Sequence, residues 1–531
     1  MDVLRAFNLR RTAQTDRADA RQRRNAAGGY AFTLDDAARL RRFLVLGVDG
    51  GTYYTAPQAL AKDNVAVVAR MAETDPEGLV RTIVEASTGG VAPNQRPALF
   101  ALAYAAALPQ SSQLALAALP QVARTGTHLF WFAEYVEQFR GWGRGLRRAV
   151  ADWYVAKDAD AVAYQAVKYR QRDGWSHRDL LRLAHPVADA PELADTFAWI
   201  VQGALGDHVP AYVEGYVKAQ DASDAGTWAA LVRDYRLTWE MLPDAALTER
   251  AVWDALLDVG LPQTALMRQL PRLTRLGMLP DVGGRTDEVV GRLTDATRLR
   301  KARVHPVNVL VAQRTYARGQ SARGDGVWTP SRKVTDALDA AFYAAFGAVE
   351  PSGTRTLLAL DVSGSMTAPI SGLPLSAREA SAALALVQLA TEPSATAVGF
   401  ASTGGSWSRS AVLTPLRISP RQRLDDALRV VDQMPFGGTD CALPMVHAIE
   451  RELEVDTFVV YTDNETWAGR VHPHQALVDY RRHSGIDAKL VVVGMTATRF
   501  SIADPTDAGM LDVVGFDAAV PTLITEFARG L

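Results

Sequence analysis

Leu357-Leu-Ala-Leu-Asp361-Val-Ser363-Gly-Ser365-Met366 decides how this chain is read. Four apolar residues run without a break into an Asp-x-Ser-Gly-Ser turn. An apolar run bounded by a turn predicts a strand buried on both faces, as in a parallel sheet. The polar turn then lies at the strand's carboxyl end, where open α/β sheets bind ligands. A carboxylate and two hydroxyls so close together are hard oxygen ligands of the kind Mg²⁺ prefers. Asp-x-Ser is also an ordinary turn sequence, because both side chains bond their own backbone there.

Two later segments favour metal. Phe436-Gly-Gly-Thr439-Asp440-Cys441 is a glycine loop that carries a hydroxyl, and Thr457-Phe-Val-Val-Tyr-Thr462-Asp463 is a second apolar strand ending in a carboxylate. One fold can bring Asp361, Ser363, Ser365, Thr439 and Asp463 onto one ion, with Mg²⁺ as the expected cofactor. The surrounding pattern predicts helices over 376–391, 421–433, 442–453, 474–484 and 521–529, and strands over 396–400, 457–462 and 489–493. Such alternation predicts a doubly wound, Rossmann-like parallel sheet. This part of the chain resembles the von Willebrand A fold, and all five positions match its metal-ion-dependent adhesion site. The resemblance implies that a protein ligand's acidic side chain completes the metal shell, which makes the site a binding device.

The whole chain of 531 residues is too long for a single core. Its 48% hydrophobic and 22% charged content is that of a soluble globular protein. Cys441 is the only cysteine, which leaves no intrachain disulfide and no cysteine cluster for zinc. We expect it to be a small buried residue beside the Thr439 loop. No apolar run reaches the roughly 18–20 residues of a membrane span, and the first residues lack the apolar core of a signal peptide. A cytoplasmic monomer with no membrane partner is expected. The net charge of −2 hides an asymmetry. Residues 351–531 hold 14 Lys and Arg against 20 Asp and Glu, and residues 1–350 hold 43 against 39. A modest split of this kind suits one half facing a polyanion.

Residues 1–30 form an Arg-rich N-terminal arm (Arg10, Arg11, Arg17, Arg21, Arg23 and Arg24), either solvated or tethering RNA. Residues 31–350 read as one domain, helical from about Leu34 to Gly319, with apolar residues at three- and four-residue spacing in Leu34–Leu46, Asn64–Glu73, Pro97–Ala107 and Gln113–Arg124. No strand is predicted there. Many short helices without an obvious sequence repeat predict an all-α array of stacked HEAT-like hairpins, curved into an arc or ring. Residues 318–356 carry turn signals around a helix, Lys333–Phe346, and join this array to the α/β module at 351–531.

Region 140–186 holds ten Lys or Arg against five Asp. Lys168 and Arg172 are four apart, on one face of a helix. Asp173-Gly174 then ends it, and Ser176 with Asp179 predicts an N-cap and box partner for the helix His177–His185. Lys168, Arg172 and His185 would share one surface suited to phosphate. A solvated basic face balanced by nearby Asp is the plainer reading.

The residues resolve this choice by resemblance. Gly28-Gly-Tyr30, Gly50-Gly-Thr-Tyr-Tyr54, Arg124-Thr-Gly-Thr-His-Leu-Phe130, Lys168-Tyr-Arg-Gln-Arg-Asp-Gly-Trp-Ser-His177 through His185, Lys301-Ala-Arg-Val-His-Pro306 and Tyr461-Thr-Asp-Asn-Glu-Thr-Trp467 resemble the Ro autoantigen family. The likeness covers nearly the whole chain. That family joins a TROVE helical ring to a von Willebrand A domain. The resemblance implies small noncoding Y-like RNA on the outer basic surface, and single-stranded 3′ ends of misfolded or precursor RNA in the central hole. It implies RNA contacts at Lys168, Arg172 and His185, with Arg170, Arg178 and His177 beside them. His185 also suits a helix end, where a cation meets the dipole. An exoribonuclease partner is implied as well.

No serine has a nucleophile-elbow context, so no enzyme is expected, and neither Gly50-Gly51 nor Gly404-Gly405 sits as a phosphate loop, so no nucleotide-binding loop is expected. Two other functions stay open, a metal-dependent protein scaffold without RNA and a metal-dependent nuclease. Trp142, Trp153 and Trp175 are expected in the core, and His472-Pro473-His474 on a polar surface loop.

Overall fold

The computed structural model describes residues 11–47, 57–302, 304–321, 325–347, 349–370, 375–403, 410–419, 422–434, 437–516 and 519–530. Polar side chains start many of its helices. Asp35, Asp75, Thr125, Asp158 and Asp224 each accept an N–H from the first turn of the helix that follows, satisfying donors that have no partner within the helix. Helices then stack on their next-but-one neighbours. Arg96–Ala107 lies on Gly126–Phe139, Pro76–Thr88 on Ser112–Val122, Ser112–Val122 on Arg144–Val155, and Arg144–Val155 on His177–Ala184. This is the two-layered packing of a helical-repeat array, in which each hairpin buries its apolar face on the next. The array returns on itself. His305, capping the helix Pro306–Arg318, has Nε2 3.3 Å from the carbonyl oxygen of Val91.

Strands occur in the first half where none is predicted. β1 (Arg23–Arg24) and β2 (Tyr30–Thr33) are antiparallel, and β3 (Gln171–Arg172) and β4 (Trp175–Ser176) form a tight hairpin. The α/β module holds β5 (Thr356–Asp361), β6 (Ala395–Thr403), β7 (Ser410–Pro415), β8 (Thr457–Thr462), β9 (Lys489–Gly494), β10 (Phe500–Ser501) and β11 (Met510–Val514). Its main sheet has the order β11-β9-β8-β5-β6-β7, all parallel except the edge strand β7. β5 and β8, central and adjacent, are buried at every residue, as their unbroken apolar runs predict. Helices Ala377–Thr391 and Pro473–Ser484 match the predicted spans within a residue or so. β7 and β11 lie outside the predicted strands.

The expected N-terminal arm is instead part of the second module. Gln14 is fully buried, and its Nε2 donates to Asp440 Oδ1 at 2.7 Å and to the Val471 carbonyl at 2.9 Å. β2 pairs with β10, and Asn25 Nδ2 donates to the Thr466 carbonyl at 2.8 Å. His472, expected on the surface, is fully buried beneath this segment, with Nε2 2.8 Å from the Asp16 carbonyl. Its burial follows from that bond, which periodicity cannot reveal. Residues 1–10 lie outside the described residues.

Gly29 is the tightest point of this docking. A Cβ there would lie 1.9 Å from the Thr466 carbonyl oxygen and 2.9 Å from Trp467 Cα, both backbone atoms. Gly29→Ala therefore forces the strap off the loop, and overpacking of this kind costs about 1–3 kcal/mol or more. Thermal unfolding should show a lowered midpoint, with early proteolysis before residue 34. An unchanged midpoint would refute the docking.

The two modules meet at both ends of the array. Pro306, Val307, Leu310, Phe342 and Phe346 pack against Ala380, Ala383, Leu384 and Phe516. At the other end, Arg42 from the helix Asp36–Leu46 enters the second module with 1% of its surface exposed.

Candidate metal centre and nucleic-acid interface

Strand pairing brings the five candidate metal ligands to one end of the sheet. Leu360 pairs with Tyr461, so Asp361 ends β5 where Asp463 follows β8. β5 runs on to β6 on one side and lies beside β8 on the other, which makes this edge a topological switch point. Asp361, Ser363, Ser365, Thr439 and Asp463 are each no more than 1% exposed. Asp361 Oδ1 accepts the Ser363 N–H at 2.9 Å, and Oδ2 accepts the Thr462 hydroxyl at 2.8 Å. The Ser363 and Ser365 hydroxyls are 2.9 Å apart. Cys441 is fully buried beside them, as expected, with Sγ 3.4 Å from Thr462 Oγ1.

The cluster is electrostatically incomplete. Burial, and then the charge of Asp463, pushes Asp361 up to about 7. Burial raises Asp463 too. Thr439 Oγ1 and Asp463 Oδ2 are buried with no hydrogen-bond partner. Buried polar atoms are nearly always paired, so orphans in one cluster call for an explanation. Two carboxylates and three hydroxyls, with two oxygens unclaimed, fit a hard divalent cation.

The basic region departs from its expected shape. The helix Ala159–Lys168 stops at Lys168, and Arg172 lies on β3, so the two do not share a helical face. Asp173 (φ 49°) and Gly174 (φ 83°) both take left-handed backbone at the turn between β3 and β4, the conformation that reverses a two-residue hairpin. Ser176 and Asp179 form the predicted capping box, and the helix His177–Ala184 ends on His185 in the left-handed region.

Arg170, Arg172, Arg178 and His185 are exposed, and so are Arg144, Arg147 and Arg148 on the helix Arg144–Val155 and Arg182 on the helix His177–Ala184. Lys168 is half-buried. Its Nζ lies 3.1 Å from Tyr164 Oη and 3.8 Å from Glu240 Oε1, above the rings of Tyr164 and Tyr169. Burial pulls its pKa down, but Glu240 and the two tyrosines outweigh that and hold it above the ordinary lysine value. His177 is a correction. It is 2% exposed, its Nδ1 is 2.7 Å from Tyr154 Oη, and its ring packs on Phe130 and Trp153. Burial holds it down to about 3, so it is a neutral core residue and cannot reach RNA.

Some neighbours of this surface have no signal in the sequence. Arg96 stacks on Trp131, whose Nε1 donates to Asp173 at 2.8 Å, and Arg170 lies over Tyr216. These side chains come from helices distant in sequence, and no local pattern marks them. Trp153 is core, as expected, whereas Trp142 and Trp175 are half-buried with ring centroids 5.4 Å apart.

Comparison with known proteins bears on the family of the whole chain. The TROVE domain model matches residues 23–203 and 194–354, and the Ro60 vWA domain model matches 355–528. The chain is 45% identical over 538 residues to the RNA-binding protein RO60 of Deinococcus radiodurans, covering 100% of this chain and 99% of that one. It is 35% identical to the RNA-binding protein RO60 of Caenorhabditis elegans, covering 97% and 91%. The crystal structure of the Deinococcus radiodurans RO (RSR) protein superposes with a TM-score of 0.70, covering 93% of this chain and 100% of that one. A helical-repeat array closed on itself, joined to a von Willebrand A sheet, with sequence likeness along its whole length, places this chain in the Ro family.

Proposed function

We propose that the protein is an RNA-binding scaffold, not an enzyme, that takes a small noncoding Y-like RNA on its outer basic face. One observation carries this reading. Arg144, Arg148, Arg172, Arg178 and Arg182 stand exposed on neighbouring elements, and among the described residues none of them has an ion pair. A solvated face would show these arginines balanced by the nearby aspartates. Asp158 and Asp179 instead cap helices, and Asp173 accepts from Trp131. Unpaired guanidinium groups bind phosphates and release counterions. Two relatives named RNA-binding proteins support the same reading. His185, exposed at the helix end, and Lys168, steered by Glu240, border this face. The array, which returns on itself where His305 meets Val91, would take single-stranded 3′ ends of misfolded or precursor RNA. An exoribonuclease acting on those ends fits such a scaffold, in the cytosol, with the chain as a monomer.

Asp361, Ser363, Ser365, Thr439 and Asp463 would hold a divalent ion, with Mg²⁺ the best match to their chemistry. Bound there, the ion supplies an open position for an acidic side chain of a protein ligand. The chain's own part is to hold the two carboxylates fixed at adjacent strand ends and to exclude water around them.

The test is RNA affinity against salt. Replacing Arg172 and Arg178 by Ala should weaken binding of a structured small RNA. The slope of log K against log salt should flatten by about 0.7–0.9 for each phosphate that is no longer neutralised. Both side chains are exposed, so thermal stability should be unchanged. Unaltered affinity and slope would sink the assignment of this face.

A further inference from the structure

A second pocket, about 270 Å³ in volume, opens at the seam between the two modules. Its walls are Arg24 of β1 in the N-terminal segment, Leu60 and Asp63 of the helix Pro57–Thr74, Glu465 and Arg499 from the loops that follow β8 and β9, and Phe500 at the start of β10. It therefore sits outside the carboxyl ends of parallel strands, next to the metal loop but separate from its ligands.

Three features give it a chemistry. Glu465 is fully buried and lines the pocket. Its Oε2 accepts the Ala27 N–H at 3.1 Å, while Oε1 is buried without any partner. Arg24 and Arg499 are exposed on the rim, and among the described residues neither has an ion pair. Asp63, the other acid present, is already neutralised by Arg39 at 2.7 Å. The pocket thus offers an anion two guanidinium groups that make no close ion pair, Arg499 acting on Glu465 only through its field, and offers a hydrogen-bonding group one unsatisfied carboxyl oxygen.

We propose that this pocket binds a ribonucleotide, its phosphate on Arg24 and Arg499 and a ribose hydroxyl on Glu465 Oε1. Guanidinium groups recognise phosphate by paired N–H donors. A hydroxyl both donates and accepts, so it satisfies the carboxyl oxygen whether or not that group carries a proton, which a base N–H does not. Carboxylates at α/β strand ends hold ribose hydroxyls in dinucleotide folds by the same chemistry. The aromatic face of Phe500 and the apolar Leu60 complete a site sized for one nucleotide and too small for a duplex. The pocket shares no residue with the outer basic face, so the two can fail independently.

The ligand has two sources, a free ribonucleotide or the terminal nucleotide of an RNA strand. Calorimetric titration of the full chain with 5′-AMP tests the pocket, with 2′,3′-dideoxy-AMP alongside. Saturable AMP binding is expected, about tenfold weaker for the dideoxy compound, which corresponds to one hydrogen bond. Arg24→Ala with Arg499→Ala should abolish it. Both residues are exposed, and an unchanged thermal midpoint verifies that the double variant is folded. A short single-stranded RNA that competes with AMP identifies the strand end as the source. Failure to compete identifies the free nucleotide. The absence of saturable AMP binding, equal affinity for the dideoxy compound, or full binding by the double variant would each overturn the proposal.

Discussion

Arg42→Ala is expected to cost about 3–5 kcal/mol, the penalty for removing one partner of a buried ion pair. Arg42 Nη2 meets both oxygens of Asp512, at 2.8 and 2.6 Å, and Nη1 donates to the carbonyls of Phe500 at 2.8 Å and Thr498 at 3.3 Å. Its guanidinium lies directly over Gly494, where a Cβ would come within 2.6 Å of it. One side chain from the first helix of the array therefore satisfies a carboxylate on β11 and two carbonyls around β10. Asp512 has one further side-chain partner, Ser501 at 2.6 Å, which cannot neutralise it. Because this ion pair joins the two modules, its removal should also split a single unfolding transition into two. Arg42→Lys should restore only part of the stability, since one ammonium cannot span the Asp512 carboxylate and the two carbonyls as Nη2 and Nη1 do. Calorimetric unfolding checks both statements. One transition at an unchanged midpoint would show that the modules do not depend on this pair.

The residues around these contacts show what a sequence reveals. Asp361, Ser363, Ser365, Thr439 and Asp463 are legible because the strands before Asp361 and Asp463 are unbroken apolar runs and each turn is local. Most helices are legible by their spacing. β7 and β11 are not, because they are edge strands in which residues 413–415 and residues 511, 512 and 514 stay partly exposed and make no unbroken buried run. The strap escapes for a different reason. Gln14, Gln22 and Asn25 are buried by hydrogen bonds to distant partners, and polar residues carry no periodicity. The basic block shows a third cause. Lys168 and Arg172 keep helical spacing, but Asp173-Gly174 reverses the chain as a hairpin turn, not as a simple helix end. His177 follows its N-cap and points inward, where Tyr154 takes its polar edge. Charge-rich surroundings disguise a core residue.

Removing divalent metal should leave a protein whose stability falls as pH rises from about 4 to 7. Burial and the charge of Asp463 raise Asp361 to about 7 in the folded chain, against 3.8 in the unfolded one, and Asp463 is raised as well. Between those values the folded state holds protons that the unfolded state has released, so each step up in pH favours unfolding. Below the unfolded value the contribution is fully present, and above about 7 it is gone. A divalent ion held by the same oxygens would replace those protons. Mg²⁺ should therefore raise the melting temperature strongly at pH 8 and little at pH 5, and at about 100 times its Kd the gain is about 2.7 kcal/mol. Asp463→Asn removes one charge and one ligand together. It should reduce the pH dependence of the metal-free protein, since burial still raises Asp361, and abolish the response to Mg²⁺. Ser363→Ala should weaken that response but keep the pH dependence and widen it slightly, since the hydroxyl carries no charge and its hydrogen bond holds Asp361 down. Melting curves across pH, with and without Mg²⁺, separate these outcomes. An equal response to Mg²⁺ in Asp463→Asn would place the ion elsewhere, and a metal-free protein indifferent to pH would mean that Asp361 and Asp463 are not strained by one another.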